Sequence, residues 1–308
     1  MTTTAQNILK TLGYFDLFQY PLTREEIRSF HAVHLAYQEL DAALDSLLEQ
    51  GLVFRLDEFY SVQPNSLLAE RRRKGNQLAA RHLQTASKVA RFLSGFPYVK
   101  GIAVSGSLSK NFATSQTDID FFIVTHTNRL WIARTFMHLY KKFTFLTGRQ
   151  HWYCMNYYVD EKEMEIKEKN IFTAMESVTL LPMQGKETME EFVKNNHWIK
   201  EYFPSKTIVT EGVSEIKPGL FRRLAEKVFN NSMGDKVDTW LMKLTEKRWK
   251  KKTEKRLVNN HGHVMSMVVD RHFSKPDPRN FQHKVVEQYR QKVQQLLHTA
   301  EKTPSLVL

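Results

Sequence analysis

At 308 residues, 42% of them hydrophobic, with a net charge of +12, the chain can hold roughly two or three domains with apolar cores, and it is biased toward anionic partners. No apolar run approaches the ~20 residues of a membrane-spanning helix, so no membrane partner is expected; MTTTAQNILKTLG at the N-terminus lacks the charged-then-apolar order of a secretory leader. One cysteine, Cys154, excludes an internal disulfide and a cysteine-based zinc site, which points to the cytoplasm.

Residues 1–64 read as a first unit. Ile8, Leu9 and Leu12 with Phe15, Leu17 and Phe18 suit a helix. Pro21 opens a turn, Thr23 is an N-cap, and Glu26 stands at the capping-box position of a short second helix. Leu40, Ala43, Leu44, Leu47 and Leu48 share one face of a third helix over Tyr37–Gln50, which Gly51 ends. Leu52–Leu56 and Phe59–Val62 read as strands around Asp57-Glu58. Three helices and a hairpin in this order resemble a winged helix. That resemblance implies nucleic-acid reading by the third helix, but the helix carries Glu39, Asp41, Asp45 and Glu49 and no Lys or Arg. Phosphate repels such a face, which favours packing against protein over sequence-specific DNA binding.

A helical connector over residues 65–97 follows. Arg71-Arg72-Arg73-Lys74 reads as a solvated helix start or as a phosphate contact. Leu78, Ala79, Leu83, Ala86, Val89, Ala90 and Leu93 make an apolar stripe, and Phe96-Pro97 closes the helix.

The strongest chemical signal is GIAVSGSLSKNFATSQTDIDFFIVT, from Gly101 to Thr125. Ile102-Ala103-Val104 and Phe121-Phe122-Ile123-Val124 read as strands. Between them stand a Ser105-Gly106-Ser107 turn, a segment from Leu108 that can start a helix, and Asp118-Ile119-Asp120. On a strand, residues i and i+2 share a face, so two carboxylates would stand together with Ile119 buried behind them. A glycine turn exposes backbone N–H groups that can cradle phosphate oxygens. Strand, Gly-Ser, spacer and acid–apolar–acid entering a second strand resemble the nucleotidyltransferase superfamily, which includes DNA polymerase beta and the antibiotic nucleotidyltransferases. The resemblance spans about Val99 to Val159. It implies an α+β fold, a mixed sheet with helices on one side. It also implies Mg²⁺ held by Asp118 and Asp120, a triphosphate cradled by Ser105, Gly106, Ser107 and Lys110, and transfer of a nucleoside monophosphate to a hydroxyl or phosphate.

The superfamily usually adds a third carboxylate on a later strand. The next strand-like run is His151–Val159, where alternation puts Tyr153, Met155 and Tyr157 on one face and Cys154, Asn156 and Tyr158 on the other. No acid lies inside it; Asn156 occupies the expected place and Asp160 stands just beyond. Asn can ligate through its carbonyl oxygen but cannot take a proton at neutral pH. Three outcomes stay open: Asp160 substitutes, the site is weakened, or the acceptor needs no base. Glu163, Glu165 and Glu176 are further substitutes that nothing local separates. Cys154 reads as a small buried residue. In the helix over Leu130–Leu146, Arg134 and Lys141 join Lys110 as triphosphate contacts or surface residues, with Arg134 facing outward and His138 a helix-face residue. Trp198, Tyr202 and Phe203 read as a packing seam or a base-stacking platform. These elements fill a domain over residues 98–205.

Residues 206–308 read as a basic helical domain. From Leu220 to Arg256, twelve Lys or Arg stand against five Asp or Glu. Lys247–Lys252, with Trp249 inside it, reads as a nucleic-acid contact or as a solvated helix face with the Trp on the core. His261, His263 and His272 read as exposed loop histidines rather than metal ligands. The expected function is Mg²⁺-dependent nucleotidyl transfer from a nucleoside triphosphate. The alternatives are a non-catalytic nucleotide- or nucleic-acid-binding regulator on the same fold, and, less favoured by the long terminal extensions, an antitoxin-like nucleotidyltransferase paired with a separate helical protein.

Overall fold

The structure, a computed structural model, describes residues 1–254, 266–277 and 280–302. The N-terminal elements follow the expected order. They are α1 (Thr3–Asp16), β1 (Leu22–Thr23), α2 (Arg24–Ser29), α3 (Tyr37–Glu49), β2 (Phe54–Leu56) and β3 (Phe59–Ser61). The capping box at α2 forms as read: Glu26 N donates to Thr23 Oγ1 at 3.2 Å and Thr23 N donates to Glu26 Oε2 at 2.9 Å. β1, β3 and β2 make a small antiparallel sheet in that order.

After α4 (Leu67–Leu93) the chain builds β4 (Val99–Val104), α5 (Gly106–Ser109), β5 (Asp120–Thr125), α6 (Leu130–Thr144) and β6 (Cys154–Asp160). It continues with α7 (Ile171–Val178), β7 (Leu181–Gln184), α8 (Lys186–Asn195), α9 (Leu220–Phe229), α10 (Ser232–Glu254), β8 (Ser266–Val269), β9 (Phe273–Asp277) and α11 (Phe281–Lys302). The main sheet runs β7-β4-β5-β6-β9-β8. β5 and β6 are parallel and the other neighbours antiparallel, so the sheet is mixed. The fold is α+β, as the sequence implied.

Two expectations change. Helices cover both faces of the sheet, not one. Ala103, Phe122 and Val124 pack with α7, α8 and the N-terminal elements, while Ile102, Phe121 and Ile123 pack with α4 and α6. The last third is not helical throughout, because β8 and β9 form a hairpin on the sheet edge beside β6. Buried residues of 1–64 are continuous with those of the main sheet and α11. Ile8, Leu12, Leu40 and Leu47 belong to the same buried cluster as Phe122, Phe192, Val285 and Ala300. α11 lies against α1, with Tyr14 and Tyr289 rings at 5.6 Å and Lys292 Nζ 2.7 Å from Asp16 Oδ2.

The Arg71–Lys74 cluster is solvated only in part: Arg73 and Lys74 are exposed, while Arg72 is buried. Arg71 donates to Phe18 O and Gln19 O, Arg72 pairs with Glu26, Arg73 with Asp57 and Glu58, and Lys74 with Glu70. The three arginines tie α4 to the N-terminal elements, and Lys74 pairs within α4. Phe203 meets Phe30 edge-on at 5.8 Å and Trp198 is buried, so the aromatic group of residues 198–203 packs as a seam.

Candidate functional site

Strand pairing brings three stretches of chain to one end of the sheet. β4 and β5 are antiparallel, so the turn leaving β4 stands beside the residue entering β5; Ser105 N donates to Asp120 O at 2.9 Å. β5 and β6 are parallel in the register Asp120 to Cys154, which puts His151 beside Asp118. Asp118 precedes β5, yet the pairing runs past the strand end: Ile119 N donates to His151 O and Cys154 N donates to Ile119 O. Ile119 is buried while both acids reach partial exposure.

Gly106 sits at φ +69°, a left-handed conformation that side chains resist, and a Cβ there would stand 2.7 Å from Asp120 Oδ2. The turn is therefore pressed against the carboxylate. Ser107 is exposed at the start of α5, which is a single helical turn rather than the longer helix expected. Lys110 Nζ donates to Gly106 O at 3.0 Å and pairs with Glu176 Oε1 at 2.7 Å. It braces the turn, with its charge offset by Glu176. Tyr20 donates to Lys110 O, and Ala113 N donates to Gly75 O, so α4 and the N-terminal elements grip the loop that follows α5. Gly75 makes room for that grip: a Cβ there would stand 2.2 Å from the Phe112 ring.

A β-bulge between Phe121 and Phe122 corrects the simple alternation along β6. Tyr157 joins the cluster around Phe122, while Met155 and Tyr158 join that around Phe121. Asn156 stays on the Asp120 side, exposed, and its Nδ2 donates to Asp120 Oδ1. His151 Nδ1 lies 2.5 Å from Asp118 Oδ1. Cys154 is half-buried and lines the site, with Sγ 3.2 Å from Asn156 Oδ1, and burial with the Asp120 charge pushes its thiol up to about 12.

Burial pushes the Asp120 carboxyl up to about 6, and the Asp118 and Glu176 charges push the same way; the Cys154 thiol and Lys141 oppose them. A carboxylate crowded this way gains from a cation. Among the described residues no group of three or more His, Cys, Asp or Glu is arranged as an all-protein metal cage. Mg²⁺ does not need one, since it takes one or two carboxylates and completes its shell with phosphate oxygens and water. Asp118 and Asp120 beside an open glycine turn fit that ion.

Asp160 does not join them. It sits at the other end of β6, opposite Thr125, roughly 16 Å along the strand at 3.3 Å per residue. It is fully buried and accepts from Asn128 N at 2.9 Å and Lys162 N at 3.0 Å, with His272 Nδ1 at 2.8 Å. It caps a loop. His272 is accordingly buried rather than exposed, whereas His261 and His263 lie outside the described residues. Glu163 pairs with Lys167 and Glu165 with Lys169, which leaves Glu176 as the acid whose charge acts on Asp120.

Arg134 also turns inward rather than out. Its guanidinium lies 5.4 Å from the Trp131 ring and 5.2 Å from the Trp249 ring. Trp249 is thus a packing residue beside Arg134, while Lys247 and Lys251 stay exposed on α10. The side chain of Lys252 lies outside the described residues. His138 packs near Tyr158, and burial holds its pKa well below the usual histidine value.

Sequence reasoning missed His151 and the Lys110–Glu176 brace. Only the parallel register of β6, which no local pattern encodes, brings His151 to Asp118. The nucleotidyltransferase domain family matches residues 84–195, and this part of the chain is a nucleotidyltransferase domain. No curated protein and no solved structure matches the chain.

Proposed function

With residues 84–195 as a nucleotidyltransferase domain, we propose that the protein transfers a nucleoside monophosphate from a nucleoside triphosphate to an acceptor oxygen, with Mg²⁺ held by Asp118 and Asp120. The contact between Gly106 and Asp120 carries the reading: it sets a glycine turn directly against a carboxylate that gains from a cation. Backbone N–H groups at Gly106 and Ser107 would bind triphosphate oxygens, with Lys110 holding the turn in shape. Asn156 would orient Asp120 through its amide. When bound, Mg²⁺ supplies charge that offsets what develops on the leaving pyrophosphate.

Among the described residues no unpaired carboxylate stands beside Asp118 and Asp120: Asp160 is a loop cap and Glu176 is paired with Lys110. The His151 imidazole beside Asp118 could take the proton of a hydroxyl, so a phosphate and a hydroxyl both stay open as the acceptor. Its oxygen would form the bond to the α-phosphorus as the α–β bond breaks and pyrophosphate leaves. Incubation with each of the four α-labelled nucleoside triphosphates, Mg²⁺ and cell extract should move label to one acceptor class and release pyrophosphate. Absence of both with every nucleotide would overturn transfer.

Asn156, in the place of an acid, favours a second reading: a regulator that binds Mg²⁺–nucleotide without turning it over. Saturable nucleotide binding with no pyrophosphate release would select it.

Gly106→Ala tests the carrying observation. The methyl group must displace the Asp120 carboxylate, and a shift of about 1 Å at a reacting centre costs about 10²-fold in rate. Transfer should fall by that order while the far-ultraviolet circular dichroism stays unchanged. Full activity in this variant would remove the turn from the site.

A further inference from the structure

α9 is amphipathic, but its apolar face points away from the protein. Inward, Arg222 is buried, its Nε donates to Glu226 Oε1 at 2.7 Å, and the same oxygen accepts from Tyr98 N at 2.8 Å. Outward stand Leu220, Phe221, Leu224 and Val228, which are 75%, 59%, 57% and 53% exposed. At 3.6 residues per turn these four share an arc of about 100°. α10 continues the pattern: Met233 and Trp240, two turns apart on its outward side, are 52% and 61% exposed. Phe221 meets the Phe136 ring edge-on at 6.3 Å, and the other five side chains are more than half exposed. Contiguous exposed apolar side chains of this extent mark a surface that something else covers.

The charges beside them narrow the occupant. Arg223 and Lys227 border the apolar strip on α9, and Lys236, Lys243, Lys247 and Lys251 line the outward side of α10, all exposed. Among the described residues of α9 and α10 the one exposed acid, Asp235, is engaged by Arg129. A second copy would bring like charges together. A nucleic acid would satisfy the lysines but leave Leu220, Leu224 and Val228 uncovered. An apolar face with a tryptophan, edged by lysines, is the pattern of helices that lie in the headgroup region of anionic lipid.

We propose that α9 and the outward side of α10 seat the protein on an anionic lipid surface. Attachment is peripheral, since no described helix is long and apolar enough to cross a membrane. It is independent of the chemistry at Asp118 and Asp120, so either can fail alone.

Co-sedimentation of the full chain with phosphatidylcholine vesicles, with and without phosphatidylglycerol, tests it. The protein should partition to the anionic vesicles only, with a blue shift in tryptophan emission that Trp240→Phe removes. Leu224→Ser with Val228→Ser, both at exposed positions, should weaken partition by at least about tenfold. Lack of partition to anionic vesicles overturns the proposal and leaves the face to an acidic protein partner. Partition untouched by the serine substitutions also overturns it, because lysines alone would then account for adsorption. A dimer in solution that the same substitutions dissolve would assign the face to a second copy instead.

Discussion

Asp120→Asn is expected to abolish Mg²⁺-dependent nucleotide binding, to cut transfer by about 10³-fold or more, and at the same time to stabilise the metal-free fold. The two effects share one cause. Burial, with the Asp118 and Glu176 charges, raises the Asp120 carboxyl from its ordinary 3.8 to about 6. Between those pH values the native state holds a proton that the unfolded chain has released, so stability is lost as pH rises through that window. Above it, the ionised carboxylate costs on the order of 2–3 kcal/mol. Asparagine carries no charge to pay for. The variant should melt higher than the parent at pH 8 in chelator and converge with it near pH 4. Mg²⁺ with nucleotide should close the gap at pH 8 by stabilising the parent alone. The parent's own Mg²⁺–nucleotide affinity should fall as pH drops through about 6, where Asp120 takes up its proton. Calorimetry with Mg²⁺ and ATP gives the decisive reading: unchanged affinity in Asp120→Asn would sink the assignment of the metal to this pair.

Such a trade of stability for a charged site also explains what was legible in the sequence. Gly106-Ser107 and Asp118-Ile119-Asp120 stand out because strand, turn and strand are local, and because two acids at the mouth of an apolar strand conflict with local preference. The capping box at Thr23 and Glu26 is legible for the same reason. What could not be read depends on contacts between distant segments. β7 hides because Pro182 breaks the strand pattern, tolerable only because β7 is the sheet edge. The bulge at Asn156 changes which face Tyr157 takes, and no residue type announces it. Arg71–Lys74 looks like a solvated run until Arg71, Arg72 and Arg73 are seen to have partners in the N-terminal elements. Leu220, Leu224 and Val228 carry the spacing of a core face, and spacing alone cannot tell inward from outward.

Arg72→Met is expected to cost about 3 kcal/mol of stability, at the low end for one partner of a buried ion pair because Glu26 keeps some solvent contact. Arg72 is almost fully buried. Its guanidinium reaches Glu26 Oε1 at 2.7 Å, Pro21 O at 2.6 Å and Asn76 Oδ1 at 2.8 Å, and lies 3.7 Å from the centroid of the Tyr20 ring. Methionine fills much of the volume but leaves Glu26 Oε1 and Pro21 O without their donor, with Thr23 N still on Glu26 Oε2. Adding Glu26→Gln should recover part of the loss, because the uncompensated carboxylate then disappears; a double-mutant cycle on denaturant midpoints measures that share. The effect should also reach the site. Tyr20, held under Arg72, donates to Lys110 O, and Lys110 braces the Gly106 turn. Nucleotide affinity, measured well below the melting temperature, should therefore fall in Arg72→Met even where the chain is fully folded. A stability loss with unchanged affinity would confine the N-terminal elements to a scaffold role; a loss of both would make them part of the machinery that shapes the phosphate turn.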